Sequence, residues 1–484
     1  MNATWWLIAV PLAFSPLAYL AGHVQRCAAQ IVTLAGLALV GLFLAAAAQE
    51  VAVLGSAEYA FGAIALRVDG VSLLLAGIIV ALAALTTLFS GALVQNEAGE
   101  EKYYALTLAL VGTILALVCA RDLFNLWVWF EGMAIASCLL VVFARERDTA
   151  LEAAVKYLLQ SAVGSALALL GMALVLAQVG TLSLDMIRQN ASSSPTLWAA
   201  GALFVVGFGV KAALVPLHTW LPDAYTQSPS PVAALLAGVV TEVGLIALLR
   251  ALAALSGVSN IWGGLLLAFA ALNMLSGTLL ALRQRDVKRM LAYSSISHIG
   301  YMLLGLGIGL SSGALAGTQA GLFHLFNHAL MKGLAFLALG ALFYGLRAAD
   351  GDALTLGDVK GAAQRYPLTT LTLLVALLGL GGIPPLAGFM SKWQIFAAGV
   401  ATGDGLILAL LVLALLNVML SMLYYLRLAT ALYDAQPGER AAAGRAIPLA
   451  LRVPLWILAL AVLVIGVFPD MARGLTQAAA LALW

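Results

Sequence analysis

The chain has 484 residues, of which 63% are hydrophobic and 10% charged, with a net charge of +2. A soluble globule carries roughly a quarter charged residues, so this composition excludes one and leaves a chain solvated by lipid and by its own helices. A nucleic-acid partner would need a concentrated basic face, and the charge balance supplies none.

A membrane-spanning helix needs roughly 20 predominantly apolar residues. About fourteen stretches qualify, and the chain reads as an all-α integral membrane protein. The first, 4–21, lacks a basic leading segment and is expected to be a retained helix and not a cleaved signal. Then come 28–48, 70–94, 103–120, 123–143 with Glu131, and 155–178. The seventh, 197–220, holds Lys211 between Gly207, Gly209 and Pro216. The eighth, 229–250, holds Glu242, and 260–281 follows. The tenth, 291–310, holds His298, and the eleventh, 316–345, holds His324, His328 and Lys332. The twelfth, 368–398, contains Gly381, Gly382, Pro384, Pro385 and Gly388 ahead of Lys392, and 405–430 and 449–469 complete the series. Glycine and proline predict broken helices at seven and twelve.

Sixteen basic residues fall on odd-numbered loops, Arg26 and Arg145 among them, and five on the other side. The positive-inside rule then puts odd loops in the cytoplasm and both termini outside, in a cell inner (plasma) membrane. Helices four to eight (96–255) and nine to thirteen (256–430) are expected to form two inverted five-helix repeats, because an offset of five crossings reverses each helix. Residues 1–95 precede them and 431–484 follow. Glu131 lies nine residues after Asp122, and His298 nine after Arg289, so each sits about 13 Å in from its end of the span.

A charge at the bilayer centre costs at least ~2.5–3.5 kcal/mol, so the buried ionisable residues are the candidate proton-transfer sites. They are Glu131, Lys211, Glu242, His298, His324, His328, Lys332 and Lys392. Burial penalises the charged forms of carboxylate and lysine, so a mid-membrane pair can take up or release a proton as its partner moves. Lys211 is the expected partner of Glu131. The competing reading is a static ion pair locking two helices. His324, His328 and Lys332 recur every fourth residue, which aligns them on one face, roughly 6 Å apart per step. Such a ladder can pass protons with a water between groups; the bland alternative is histidines that only bond across helices. No third ligand accompanies the histidines, and Cys27, Cys119 and Cys138 form no CxxC, so neither a metal nor a disulfide framework is expected. Lys211 and Lys392 also fit the role of snorkelling anchors. Glu242 reads equally as a second proton site or as a counter-charge.

Several segments together resemble one family. They are Asp122-Leu123-Phe124-Asn125-Leu126 leading to Trp129-Phe130-Glu131; Pro216-Leu217-His218-Thr219-Trp220-Leu221-Pro222-Asp223; Ser228-Pro229-Ser230-Pro231; Asp286-Val287-Lys288-Arg289-Met290-Leu291-Ala292-Tyr293-Ser294; His324-Leu325-Phe326-Asn327-His328; and Gly382-Ile383-Pro384-Pro385-Leu386-Ala387-Gly388-Phe389. In this order, over about 65–430, they look like the antiporter-like subunits of respiratory complex I, Mrp sodium/proton antiporters and membrane-bound hydrogenases. The resemblance implies that Glu131 is the glutamate of helix five and Lys211 the lysine of broken helix seven. It makes His298, His324, His328 and Lys332 relay positions and Lys392 the terminal residue of helix twelve. One departure stands out: where the family usually has a lysine in helix eight, Val240-Thr241-Glu242-Val243-Gly244 places an acid. No long lateral helix is expected after Trp484.

The function this implies is a proton-translocating subunit of a larger membrane complex, coupled to redox chemistry as in NADH:quinone oxidoreductase-type assemblies. The chain itself is expected to hold no redox cofactor. Its partners would be other membrane subunits, the bilayer and protons, with no nucleic acid. One alternative is an Mrp-type sodium/proton antiporter subunit. Another is a scaffold for a complex such as one for inorganic-carbon uptake.

Overall fold

The computed structural model describes residues 3–61, 64–94, 97–144, 147–259, 261–350 and 352–483. Arg145, one of the loop cations counted above, lies outside them, as does the side chain of Arg26. Among the described residues, twelve helices are long and apolar enough to cross a membrane. In chain order they include α1 (Ala3–Val24), α2 (Arg26–Leu54), α3 (Gly70–Leu93), α4 (Glu100–Val118), α5 (Leu123–Val141) and α6 (Asp148–Val179). Next comes a helix pair, α7a (Pro195–Lys211) and α7b (Trp220–Gln227). The series continues with α8 (Ser230–Ala254), α9 (Ile261–Leu282), α10 (Val287–Ser312) and α11 (Leu315–Gly345). A second pair, α12a (Pro367–Gly381) and α12b (Ala387–Val400), precedes α13 (Gly405–Leu432) and α14 (Leu449–Val467).

Helix starts are set by side-chain caps, which satisfy amides that have no partner inside the helix. Asp69 accepts from Ser72 N at the start of α3, Asp122 from Asn125 N at α5, Ser194 from Leu197 N at α7a, and Asp286 from Arg289 N at α10. Asp350 caps α8 from far away in sequence, accepting from Ser230 N at 2.6 Å.

The predicted breaks occur. Helix α7a stops at Lys211 because Ala213 takes a positive φ of 53° and Pro216, with no N–H, cannot resume the ladder. Asn273 of α9 bonds this break from two sides, accepting from Val215 N at 2.9 Å and donating to Ala213 O at 3.0 Å. In α12 the chain turns at Gly382, φ 83°. Asn327 of α11 donates to Ala387 O at 3.1 Å on the far side of that break. Interruptions of this kind persist at membrane depth only where other groups satisfy the freed backbone.

Four features go beyond the apolar pattern. A hairpin of β1 (Ala57–Phe61) and β2 (Ile64–Val68) pairs Ala57 with Val68 between α2 and α3. A short helix, Leu184–Asn190, and an amphipathic one, Asp470–Leu483, lie on the same face as that hairpin, the latter packed on α3 and α11. Within α8, Leu236–Val240 forms a π-helical turn just ahead of Glu242.

The helix order puts loops after odd-numbered helices on one face and loops after even-numbered helices on the other. On the odd-loop face Asp223 binds Lys156 and Arg289, and Asp350 binds Lys288. Lys288, counted as a loop cation, has no exposed side chain. On the even-loop face Arg250 and Asp69 form a buried pair at 3.0 Å. The packed interior lies at α8, α10 and α11, whose membrane windows are 94–100% buried. Those three helices carry five of the eight candidate residues.

Candidate proton-transfer site

Glycine lets helices approach closely where the charges sit. A Cβ on Gly207 would come within 2.6 Å of Gly164 O, so α6 and α7a touch backbone to backbone beside Lys211. A Cβ on Gly244 would meet the Lys211 backbone at 3.0 Å, which seats α8 against the end of α7a. Lys211 is fully buried. Its Nζ donates to Ser161 Oγ at 3.2 Å and lies 4.0 Å from the Tyr157 ring centroid. Cation–π contact of this kind stabilises a desolvated ammonium without a counter-ion.

Glu131 is half-buried on α5, and its Oε1 is enclosed with no hydrogen-bond partner among the described residues. The expected Glu131–Lys211 pair is therefore not a direct ion pair. The lysine is held by a hydroxyl and an aromatic ring, and the acid stands apart within electrostatic reach. Trp220 Nε1 donates to the freed Val210 O at 2.7 Å, and Trp220 stacks on Tyr157. The break in α7 thus builds the wall of the Lys211 site.

Glu242 bonds His328, with Oε1 to Nδ1 at 2.7 Å and both side chains 1% exposed. Its partner is none of Lys211, Lys332 and His298, the three groups a counter-charge at this position was expected to serve. Glu242 Oε2 and His328 Nε2 are buried without hydrogen-bond partners among the described residues. The preceding π turn leaves Leu236 O accepting from Tyr225 OH at 3.0 Å and Thr241 Oγ1 at 3.1 Å, and those two hydroxyls meet at 2.5 Å. Tyr225 also contacts Trp220 edge-on, so aromatic contacts connect the surroundings of Lys211 with those of Glu242.

The remaining groups form one connected chain. Lys332 Nζ donates to Ser294 Oγ at 2.6 Å and to Leu291 O at 2.7 Å. Ser294 Oγ bonds Tyr425 OH at 2.6 Å, and Tyr425 OH lies 3.3 Å from His298 Nε2. His298 Nδ1 is 3.1 Å from His324 Nε2, and His324 Nδ1 is 2.9 Å from Ser391 Oγ. The path runs through α11, α10, α13 and α12b. Lys392, next to Ser391, donates to Leu380 O in the break of α12 at 2.8 Å and sits 4.8 Å from the Tyr301 centroid. The His298 and His328 rings are 5.3 Å apart, in contact but not hydrogen-bonded, so Glu242–His328 abuts the chain. A series of hydroxyls and imidazoles, each both donor and acceptor, can pass a proton by exchanging roles.

Outside the membrane helices, Arg67 grips Asp185 through two bonds of 3.2 and 2.7 Å, and Arg121 adds one at 3.0 Å. Burial raises the Asp185 carboxyl, but the two arginines outweigh it and hold the group below its usual 3.8. Asp286 goes the other way: burial raises it, against the amides of Arg289 and Leu354.

The family described as "NADH:quinone oxidoreductase/Mrp antiporter, TM" matches residues 120–417. The chain belongs to that family. The match encloses all eight candidate residues and both breaks. It leaves α1 to α4 and α14 outside and ends within α13. The "F(420)H(2) dehydrogenase subunit N" of Methanosarcina mazei is 33% identical over 436 residues, covering 88% of this chain and 87% of its own. The "NADH-quinone oxidoreductase subunit N 2" of Roseiflexus castenholzii is 34% identical over 425 residues, covering 85% and 83%. Among solved structures, a chain of the membrane-bound sulfane sulfur reductase, an archaeal respiratory membrane complex, superposes with a TM-score of 0.90 at 30% identity, covering 100% of this chain and 98% of its own.

Against the family motifs, sequence reasoning missed the neutral links. Ser294 was inside a quoted segment and Ser391 two residues beyond one, but only ionisable residues were singled out. Tyr425, Ser161, Tyr157 and Tyr225 had a usable signal: each is a hydroxyl within a mainly apolar helix, where it needs a partner.

Proposed function

We propose that this chain is the proton-translocating, antiporter-like subunit of a multisubunit membrane complex whose redox chemistry is carried by other subunits. The observation that carries this reading is the buried chain of contacts from Lys332 through Ser294, Tyr425, His298 and His324 to Ser391. A static framework would not need three lysines, three histidines and a carboxyl group buried among its helices. The M. mazei and R. castenholzii relatives bear the names of dehydrogenase and oxidoreductase subunits, which favours a redox-driven assembly.

In this reading the chain crosses the membrane fourteen times, with the odd-loop face in the cytoplasm and both termini outside, as the sixteen-to-five loop charge asymmetry supports. Two inverted repeats, α4 to α8 and α9 to α13, account for the aspartate caps on α5 and α10 and for the breaks in α7 and α12. A proton enters near Glu131, charges Lys211, passes the Glu242–His328 pair, and leaves by way of Lys392. Glu131→Gln and Lys211→Ala, each in the assembled complex in sealed vesicles, are expected to abolish proton pumping driven by the electron donor. Pumping at the unaltered rate in both would refute the reading.

A second reading has one observation in its favour. Glu242 Oε2 is buried and unpaired, and a carboxylate oxygen suits a hard cation such as sodium. Sodium dependence of proton movement, lost in Glu242→Gln, is the outcome that would support an Mrp-type antiporter instead.

A further inference from the structure

We propose that the cleft between the start of α12a and the start of α14 binds an anionic phospholipid. The cleft is about 330 Å³ and is lined by Arg365, Tyr366, Leu368, Thr369, Ile447 and Arg452, among others. It opens on the odd-loop face, where α12a and α14 pack together.

The charge there is uncompensated. Arg452 Nε is buried and has no hydrogen-bond partner among the described residues. Arg365 is anchored by one bond, from Nη2 to Gly444 O, which leaves the rest of its guanidinium for a ligand. Arg445 lies against Tyr344, 3.6 Å from the ring centroid, and donates to Tyr344 O. The nearby carboxylates are engaged elsewhere: Asp358 pairs with Arg440 at 3.2 Å and Asp434 with Lys360 at 3.7 Å. The Tyr366 hydroxyl, which donates to Gly345 O, is pushed up by burial and pulled back by Arg365, Arg347 and Arg445. Two arginines, Arg365 and Arg452, therefore line the cleft, and Arg347 and Arg445 lie within electrostatic reach of its Tyr366. Thr370 N makes the first backbone bond of α12a, to Tyr366 O, so the amides of Leu368 and Thr369 face the cleft end of the helix. A phosphate fits both features, since arginine binds it bidentately and helix N-termini favour it.

The lipid assignment rests on what adjoins the cleft. Leu368 and Leu371 of α12a are 49% and 48% exposed. Trp456 and Leu460 follow Arg452 by four and eight residues on one face of α14, and are 38% and 61% exposed. An acyl chain can lie on this strip while the headgroup stays among the arginines. A free phosphate would have no use for the strip. Basic pockets between helices near a cytoplasmic surface have this chemistry.

The native complex in nanodiscs is the test, with phosphatidylglycerol or phosphatidylcholine carrying a diazirine acyl chain. Phosphatidylglycerol is expected to label peptides covering 367–371 and 453–460 about tenfold more than phosphatidylcholine. Arg365→Ala with Arg452→Ala is expected to remove that preference, and the double lysine variant to keep part of it, since lysine holds phosphate as a point charge. Equal labelling by the two lipids in the unaltered complex would overturn the proposal whether or not the alanine variant assembles. So would labelling confined to a partner subunit seated on the strip. Displacement by millimolar inorganic phosphate would show a small-anion site and overturn the lipid assignment.

Discussion

The two halves of the interior hold their charges in different ways. In α10 to α13 the ionisable groups meet through direct bonds, and Lys332 reaches Ser391 through four intermediate side chains. In α4 to α8, Lys211 is held by Ser161 and Tyr157, and Glu131 stands unbonded at one oxygen. The breaks differ in the same sense. Lys392 folds back to bond a carbonyl of its own break, whereas Lys211 bonds Ser161 of α6 and Val210 O accepts from Trp220 Nε1 and Ala213 N instead. The C-terminal half is thus already connected, and the N-terminal half needs a side chain or water to move before a proton can pass. Glu242 of the first half and His328 of the second form the seam. In the proposed reading, a proton transferred in the unconnected half would change the charge beside the seam, through which the seam pair would bias the connected half.

The largest expected effect falls on the unconnected half. Lys211→Arg keeps a positive charge but cannot release its proton. Pumping in vesicles is expected to be abolished while the complex assembles normally. Retained pumping would show that Lys211 acts only as a fixed charge, and the contrast between the halves would lose its functional meaning.

Next comes the seam. His328→Ala leaves the buried Glu242 carboxyl group without its partner, a change that costs roughly 1–3 kcal/mol. A lower thermal midpoint of the complex and pumping reduced by more than tenfold are expected. Combining it with Glu242→Leu should recover much of the stability without recovering pumping, because the orphaned polar group goes while the link stays broken. Simple additivity in both readouts would mean that the pair does not act as a unit.

Which parts were legible in sequence follows the same divide. Apolar length located the long apolar helices, because burial in lipid is a property of whole segments, but it missed their polar ends by up to seven residues, as at Asp148 where 155 was expected. Gly207, Gly209 and Pro216, and then Pro384 and Pro385, announced the breaks, because backbone chemistry is local. The ladder of His324, His328 and Lys332 was visible because helical spacing alone aligns it. Pairing was not legible. Glu242 and His328 lie 86 residues apart, and only the crossing of α8 with α11 chooses His328 over its neighbour Lys332 one turn away. Glu131 looked like the natural partner of Lys211, but depth in the membrane does not fix which way two helices turn their faces. The π turn at Leu236–Val240 has no composition signal, since Leu-Ala-Gly-Val-Val reads as ordinary helix.

Tyr425 tests whether the connected half works as a wire. Tyr425→Phe removes the hydroxyl between Ser294 and His298 and leaves the ring in place. One neutral hydrogen bond contributes about 1 kcal/mol, so stability should barely change. Pumping should fall severalfold, and the matching change at Tyr424, whose ring packs on Tyr425 but whose hydroxyl bridges no two members of the chain, should reduce it less. Equal effects at the two tyrosines would mean that packing, and not the hydroxyl, matters in this half.

The smallest effect is expected at the exposed rim, where the clamp of Arg67 and Arg121 on Asp185 and Glu58 joins the β hairpin to the segments after α4 and α6. Solvent screens such pairs, and each contributes little on its own. The sign of its pH dependence is nevertheless fixed. Asp185 is held below 3.8, so its contribution is complete above the unfolded value and fades as pH falls through the folded one. Cleavage of the hairpin by an added acid protease should therefore quicken only below about pH 4 in the native protein. In Asp185→Asn the clamp is already weakened, so cleavage should be faster even at the upper end of the protease's working range, and its acid step should shrink. Proton pumping at neutral pH should stay within twofold of the native rate, because no candidate residue touches the clamp. If Asp185→Asn instead stopped pumping as completely as Lys211→Arg, the rim would be part of the proton path, and the division into a connected and an unconnected half would have to be redrawn to include the surface.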